Sequence, residues 1–389
     1  MLIATRRTAC SIHWFCRLLI FSTFSSVLSL EDKSESSLAL SDTSSRKDKL
    51  LNVFNIVRFP NNGCNTTSDT YGVCYTATEC ISLGGTSAGS CASGFGVCCA
   101  FSGTCGGSTS VNNTYFKSDG SETSPCQFEV CKCSSDVCQI RLGFDSFDIL
   151  QPSTNLPGDA IPNQRTQCIN AQFSASSDGP AAPIICGTNT GYHMLLEARD
   201  DCNKLTFTWT TTGTRTWNIH VMQIACTAKW KPPEGCLQYF TGTTGTISSY
   251  NYLGGTHLAN QLYSNCIRAE RGYCSISYTS TSDTNFQLSG QNPTTITPPA
   301  TTYLGDSCTT DYIILAGSGD APDANTNYDR FCGAVLNLDS GSTASATVYT
   351  NKMPFHVGVV FDGTELDAPP TTSTEYSKGF NLYYSQTAC

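Results

Sequence analysis

The chain of 389 residues carries 23 cysteines, and all but Cys10 and Cys16 lie beyond residue 60. A chain of this length can bury an adequate core without covalent help. Disulfides persist in oxidising compartments, and each typically adds ~2–4 kcal/mol by restricting the unfolded chain. The cysteines therefore point to a protein built for the outside of the cell. They constrain the place of action more than the action itself.

Residues 1–29 read as a signal peptide: Arg6 and Arg7 form a basic start, a mostly apolar stretch runs from Trp14 to Leu28, and Val27 and Ser29 supply small-residue cleavage positions. Arg17 interrupts the apolar stretch, which falls short of the roughly 20 clean residues of a membrane span. The expectation is a secreted, extracellular protein without a membrane span, from which Cys10 and Cys16 depart with the leader. The formal charge is −9, and losing Arg6, Arg7 and Arg17 makes the mature chain more acidic. Like charge then disfavours nucleic acid and anionic membrane as partners. Asn65-Thr66-Thr67 and Asn112-Asn113-Thr114 are glycosylation sequons, making Asn65 and Asn112 the candidate acceptors.

Residues 30–49 are rich in Ser, Lys and Asp and read as a disordered linker. Residues 50–104 form a cysteine-rich module. Its order is Cys64, Cys74, Cys80, Cys91, then Cys98-Cys99, and so small a unit needs staples to fold. From residue 105 the texture becomes period-two. Ile140, Leu142 and Phe144 alternate with polar neighbours, as do Leu205, Phe207 and Trp209, and Trp217, Ile219 and Val221. Such alternation argues strands with one buried face. Residues 229–235, containing Pro232-Pro233, read as a linker, and the pattern resumes at Tyr312 to Leu315, at Val357, Val359 and Phe361, and at Phe380, Leu382 and Tyr384. The expected fold is all-β: two tandem β-sandwiches, 105–228 and 236–389, behind a disulfide-knotted module.

Family resemblances attach to these segments. Gly245-Thr246-Ile247-Ser248-Ser249, Cys308-Thr309-Thr310-Asp311-Tyr312-Ile313, Phe331-Cys332-Gly333 and Gly379-Phe380 stand in the order of a CUB domain, so residues 236–389 resemble one. Residues 105–228 resemble a divergent copy, opened by Cys105-Gly106-Gly107 and with Cys168 and Cys186-Gly187 as its second cysteine pair. The module resembles the clip domains of secreted arthropod proteins, and the whole arrangement resembles secreted arthropod CUB-domain proteins. The CUB resemblance implies a jelly-roll type of sandwich with Cys168–Cys186 and Cys308–Cys332 as equivalent bridges. The clip resemblance implies Cys64–Cys98, Cys74–Cys91 and Cys80–Cys99. Proximity in sequence suggests Cys266–Cys274, leaving Cys236 and Cys389 to tie the ends of the last domain. Nine cysteines remain between Cys105 and Cys226, an odd number that implies a free thiol or an inter-domain or intermolecular bridge involving Cys131, Cys202 or Cys226.

Catalytic signatures are weak. Gly85-Thr86-Ser87-Ala88-Gly89 matches a nucleophile pattern but sits between knotted cysteines rather than on a strand–turn–helix elbow. His13, His193, His220, His257 and His356 include no i, i+4 pair, so zinc or triad chemistry has no local support. Cys131-Lys132-Cys133 reads as disulfide rather than thiolate ligands. Many CUB domains hold calcium through a Glu and two Asp. Here Asp311 matches the first Asp, Asp362 stands near the second, and no carboxylate occurs in Asn285-Phe286-Gln287-Leu288-Ser289-Gly290, where the acid is expected. Ala171 takes the matching place in the first domain. The expectation is no cofactor beyond weak calcium at Asp311 and Asp362, in the ~10⁻⁴–10⁻³ M range, with a structural turn carboxylate as the competing role for Asp311. The function expected is a non-enzymatic module that binds extracellular proteins. The alternatives are an accessory or regulator of an extracellular serine-protease cascade, suggested by the clip-like module, and a structural matrix component. The last would call for repeats or low complexity beyond the linker, and none is evident.

Overall fold

The computed structural model describes residues 57–67, 70–153, 166–288, 302–322, 328–363 and 378–389. The expected leader at 1–29 and linker at 30–49 lie outside the described residues, as do residues 50–56. The chain is all-β, with the disulfide-knotted module followed by two tandem sandwiches.

The module holds the strands Gly63–Asn65, Tyr71–Tyr75, Thr86–Cys91 and Gly96–Gly103 around the short helix Ala77–Ser82. The helix starts with a capping box: the Thr76 hydroxyl accepts from the Glu79 N–H, and the Glu79 carboxylate accepts from the Thr76 N–H. Among the described residues its buried apolar cluster is Val73, Tyr75, Cys80, Cys99 and Phe101. Cys64–Cys98, Cys74–Cys91 and Cys80–Cys99 staple it. Gly96 is required here, because a Cβ would stand 2.8 Å from the Cys91 sulfur and 2.9 Å from that of Cys74.

The strand Gly96–Gly103 does not end at the module. Its second half pairs in parallel with Thr114–Lys117, so one eight-stranded sheet runs from the module into the first sandwich. That sheet continues through Thr216–Ala225 and Val137–Asp148 to His193–Glu197. Ser108–Thr109, Cys126–Val130, Asn203–Trp209 and Ala171–Ala175 form the facing sheet. The alternating residues behave as their period demands. Ile140, Leu142, Phe144, Leu205, Phe207, Trp217, Ile219 and Val221 are all buried, and Phe207 stacks on Trp217 with centroids 4.0 Å apart.

In the second sandwich Gln238–Phe240, Gln261–Ile267, His356–Phe361, Tyr312–Ser318, Tyr328–Gly333 and Thr302–Leu304 form one sheet. Thr244–Ser248, Gly379–Ala388, Tyr273–Ser280 and Val348–Thr350 form the other, with Phe286–Gln287 against Gly379–Ala388.

The bridges correct two expectations. Cys266 does not join Cys274. Cys266 pairs with Cys236, and Cys274 with Cys389. The strands Gln261–Ile267 and Tyr273–Ser280 enter opposite sheets, so cysteines close in sequence are parted in space. Parallel pairing of Gln238–Phe240 with Gln261–Ile267 brings Cys236 to Cys266, and the register Tyr273↔Ala388 brings Cys274 to Cys389. Cys131, Cys202 and Cys226 are not the odd thiols either. Cys131 joins Cys202 and Cys138 joins Cys226, beside Cys105–Cys126 and Cys168–Cys186. Cys133, the ninth, is also disulfide-bonded. Cys308 pairs with Cys332.

Candidate functional site

Asp311 immediately precedes Tyr312–Ser318, and Asp362 immediately follows His356–Phe361. These strands are antiparallel with Tyr312 opposite Val360, so the two acids meet at one end of the sheet. Asp311 is 1% exposed, and its Oδ1 accepts the Asp362 N–H at 2.9 Å. The Asp362 carbonyl in turn accepts from the Asn260 N–H at 2.6 Å. The Asp311 carboxylate thus pins the end of a strand. Asn285 accepts from the Tyr252 hydroxyl at 2.6 Å, and Ala171 is buried in its strand. Among the described residues no cluster of three or more His, Cys, Asp or Glu could hold a metal. A hard cation such as calcium takes six to eight oxygens, and the described side chains here do not form that set.

This end of the second sandwich is covered by the first. Gln167 donates to the Gly363 carbonyl at 2.9 Å, Gln261 to the Ile184 carbonyl at 3.0 Å, and the Ala259 N–H to the Thr166 carbonyl at 3.1 Å. Further along the joint the sheet edges meet: the Leu195 N–H donates to the Leu237 carbonyl at 2.7 Å. The His193 carbonyl accepts from the Tyr250 hydroxyl at 2.8 Å and the Gln238 amide at 3.1 Å. His193 Nε2 accepts the Tyr239 N–H at 2.9 Å, so the ring is neutral. Asn251 accepts from the Thr188 N–H and donates its own N–H to the Asn189 side chain, both at 2.8 Å. Residues 229–235 lead directly into this joint, and a continuous buried cluster runs through it. The two sandwiches are held as one frame.

The module is anchored by a second histidine. His220 lies between the rings of Tyr71 (5.6 Å) and Tyr115 (4.7 Å), both nearly parallel to it. The Tyr115 hydroxyl accepts the Tyr71 N–H at 2.8 Å, and His220 Nε2 bonds the Asn113 side chain at 3.0 Å. Burial, assisted by the Arg141 cation, pushes His193 down to about 3 and His220 down to about 4. In the sequence neither histidine carries a local signature, since none of the five stands four positions from another.

Asn65 is exposed. Asn112 is 2% exposed, and its Oδ1 accepts from the backbone N–H groups of Asn113 and Gln223. A glycan has no room on such a residue. Ser87 lies on the hairpin strand Thr86–Cys91, with only a 3-10 turn after it, so the geometry of a nucleophile elbow is absent there.

Residues 233–387 match the family model of the animal CUB domain, so the chain contains a CUB domain. No curated protein matches the chain. Two solved structures are similar at 14% identity. The CUB1-EGF-CUB2 domains of rat MASP-1 match with a TM-score of 0.22 over 73% of this chain and 99% of that one. The CUB1-EGF-CUB2 domain of human MASP-1/3 matches with a TM-score of 0.21 over 70% and 98%.

Proposed function

We propose that this is a secreted, non-enzymatic protein that binds extracellular proteins and needs no metal to do so. The CUB domain at 233–387 carries the reading, because CUB domains mediate protein interactions. The joint supports it: loops displayed on a rigid frame bind with less ordering entropy than loops on a flexible tether. The burial of Asp311 and its bond to the Asp362 N–H favour a structural over a calcium-bridging role for that carboxylate. Immobilised full-length protein should retain partners from extracellular fluid equally with calcium and with EDTA. Capture abolished by EDTA and restored by calcium would overturn the metal-free reading.

A regulatory role in an extracellular serine-protease cascade is the second reading. The module favours it, since its bridges join first to fifth, second to fourth and third to sixth cysteine, the clip order. Added protein should then change the activation rate of a clip-bearing protease zymogen, and an unchanged rate argues against it.

A further inference from the structure

The outer face of the shared sheet contains a slot built by strand register. His193 stands opposite Gly143, Gly143 opposite His220, and His220 opposite Tyr115. Two histidines therefore flank a residue without a side chain, roughly 10 Å apart at the spacing of adjacent strands. Tyr71, stacked on His220, rises on one side. Phe240, edge-on to His193 at 5.2 Å, rises on the other.

Arg141 lies in the slot. Its Nη1 is 2.9 Å from where a Gly143 Cβ would stand, so glycine alone lets the guanidinium fold down between the histidines. Among the described residues none gives it a hydrogen bond or an ion pair. Burial disfavours its charge, as its lowered pKa records. The other charges facing this region are Lys117, whose ammonium lies 5.2 Å from the Tyr115 ring centre, and Asp145, which feels both cations without closing an ion pair. Both histidines are neutral and add no competing charge. No nitrogen of the Arg141 guanidinium is among the buried polar atoms that lack a partner, so solvent reaches the fork and an incoming anion would take the place of water on its five donors.

We propose that this slot binds a carboxylate: Arg141 offers its planar fork to an acidic side chain of a partner protein, between the aromatic walls of Tyr71 and Phe240. That the occupant belongs to a protein rests on the binding reading above. The fork matches a carboxylate with two parallel hydrogen bonds. Long polyanions suit the slot less well, because the chain carries a net charge of −9 and repels them at long range. Asp145 is the natural intramolecular competitor for the same fork.

The test titrates the isotope-labelled full-length protein with an acidic pentapeptide, Gly-Glu-Gly-Glu-Gly with blocked termini, following arginine Nε–Hε resonances. A saturable shift is expected in the Arg141 signal. Arg141→Lys, which keeps the charge and the fold, should weaken binding by roughly tenfold by losing the fork. Arg141→Gln should abolish it, and Asp145→Asn should tighten it several-fold. No saturable shift, or an equal shift in Arg141→Gln, overturns the proposal. So does a shift produced by a sulfated oligosaccharide and not by the peptide. If the peptide fails while partners are still captured from extracellular fluid, the slot is refuted and the binding reading survives.

Discussion

The two joints of this molecule solve one problem by different means. The module joins the first sandwich through the backbone: Gly96–Gly103 supplies strands to both, and a ring stack of Tyr71, His220 and Tyr115 clamps the outer face. Among the described residues the two sandwiches share no strand: single backbone bonds such as Leu195 N–H to the Leu237 carbonyl join their edges, and His193, Gln238, Tyr250, Asn251 and Gln261 each bond across the gap. The difference follows from core size. Among the described residues the module's own buried cluster has five members, whereas the two sandwiches share one large buried cluster that runs through their joint, with polar bonds around it. The module should therefore fail first when its staples are removed.

The largest effect tests that claim. The double substitution Cys80→Ala with Cys99→Ala removes a fully buried bridge. It should cost ~2–5 kcal/mol. Hydrogen exchange should accelerate throughout Tyr71–Gly103 while Val137–Asp148 and the second sandwich stay protected. Uniform loss of protection would show that the module and the first sandwich unfold as one unit.

Acid should weaken both joints, over unequal windows. Above pH 6.5 each histidine is neutral whether the chain is folded or unfolded. Below it the unfolded ring gains a proton that the folded ring refuses, so stability falls as pH falls. For His220 the decline runs from 6.5 to about 4, and for His193 to about 3. Each histidine contributes at most ~1.4 kcal/mol per pH unit within its window. His193→Gln and His220→Gln should flatten the dependence of thermal stability on pH, with the flattening for His193 extending further into acid. Identical profiles for the two variants and the parent would contradict the assignment.

Sequons sharpen the comparison at smaller cost. Asn65 lies exposed on the module, and Asn112 lies beneath the joint, where its carbonyl oxygen caps two backbone donors. Asn65→Gln should remove one glycan mass from protein expressed through the secretory pathway of a eukaryotic host. Asn112→Gln should remove none, and should lower stability by ~1–2 kcal/mol through the lost hydrogen bonds. Loss of a glycan from Asn112→Gln would mean that this loop opens before it folds.

Much of the frame was legible because one-sided burial imprints a period of two. Ile140, Leu142 and Phe144 could be assigned to a core from sequence alone, and they are buried. Sheet membership was not legible in the same way. Cys266 and Cys274 stand eight positions apart yet enter opposite sheets, and only pairing with strands far along the chain decides that. The slot around Arg141 was hidden for the same reason: His193, Gly143, His220 and Tyr71 are brought together by register and docking, and none has a local signature. Asp311 and Asp362 were found as a pair by motif order. The bonds that Gln167 and Thr166 make beside them, to Gly363 and Ala259, depend on how two domains meet, which no motif encodes.

The smallest expected effect concerns Asp311. Its buried carboxylate holds the Asp362 N–H, and an asparagine oxygen can accept the same bond. Asp311→Asn should therefore cost only ~1 kcal/mol, the difference between a charge-assisted and a neutral hydrogen bond. Asp311→Ala leaves a buried donor without its acceptor and should cost ~1–3 kcal/mol. Neither loss should depend on calcium. Calorimetry of the full-length protein with millimolar calcium, alongside melting of both variants with calcium and with EDTA, separates the two roles. Heat on calcium addition that vanishes in Asp311→Asn would make the carboxylate a ligand. An unchanged melting temperature across the metal series, with Ala below Asn, would make it the strand-end anchor that its geometry describes.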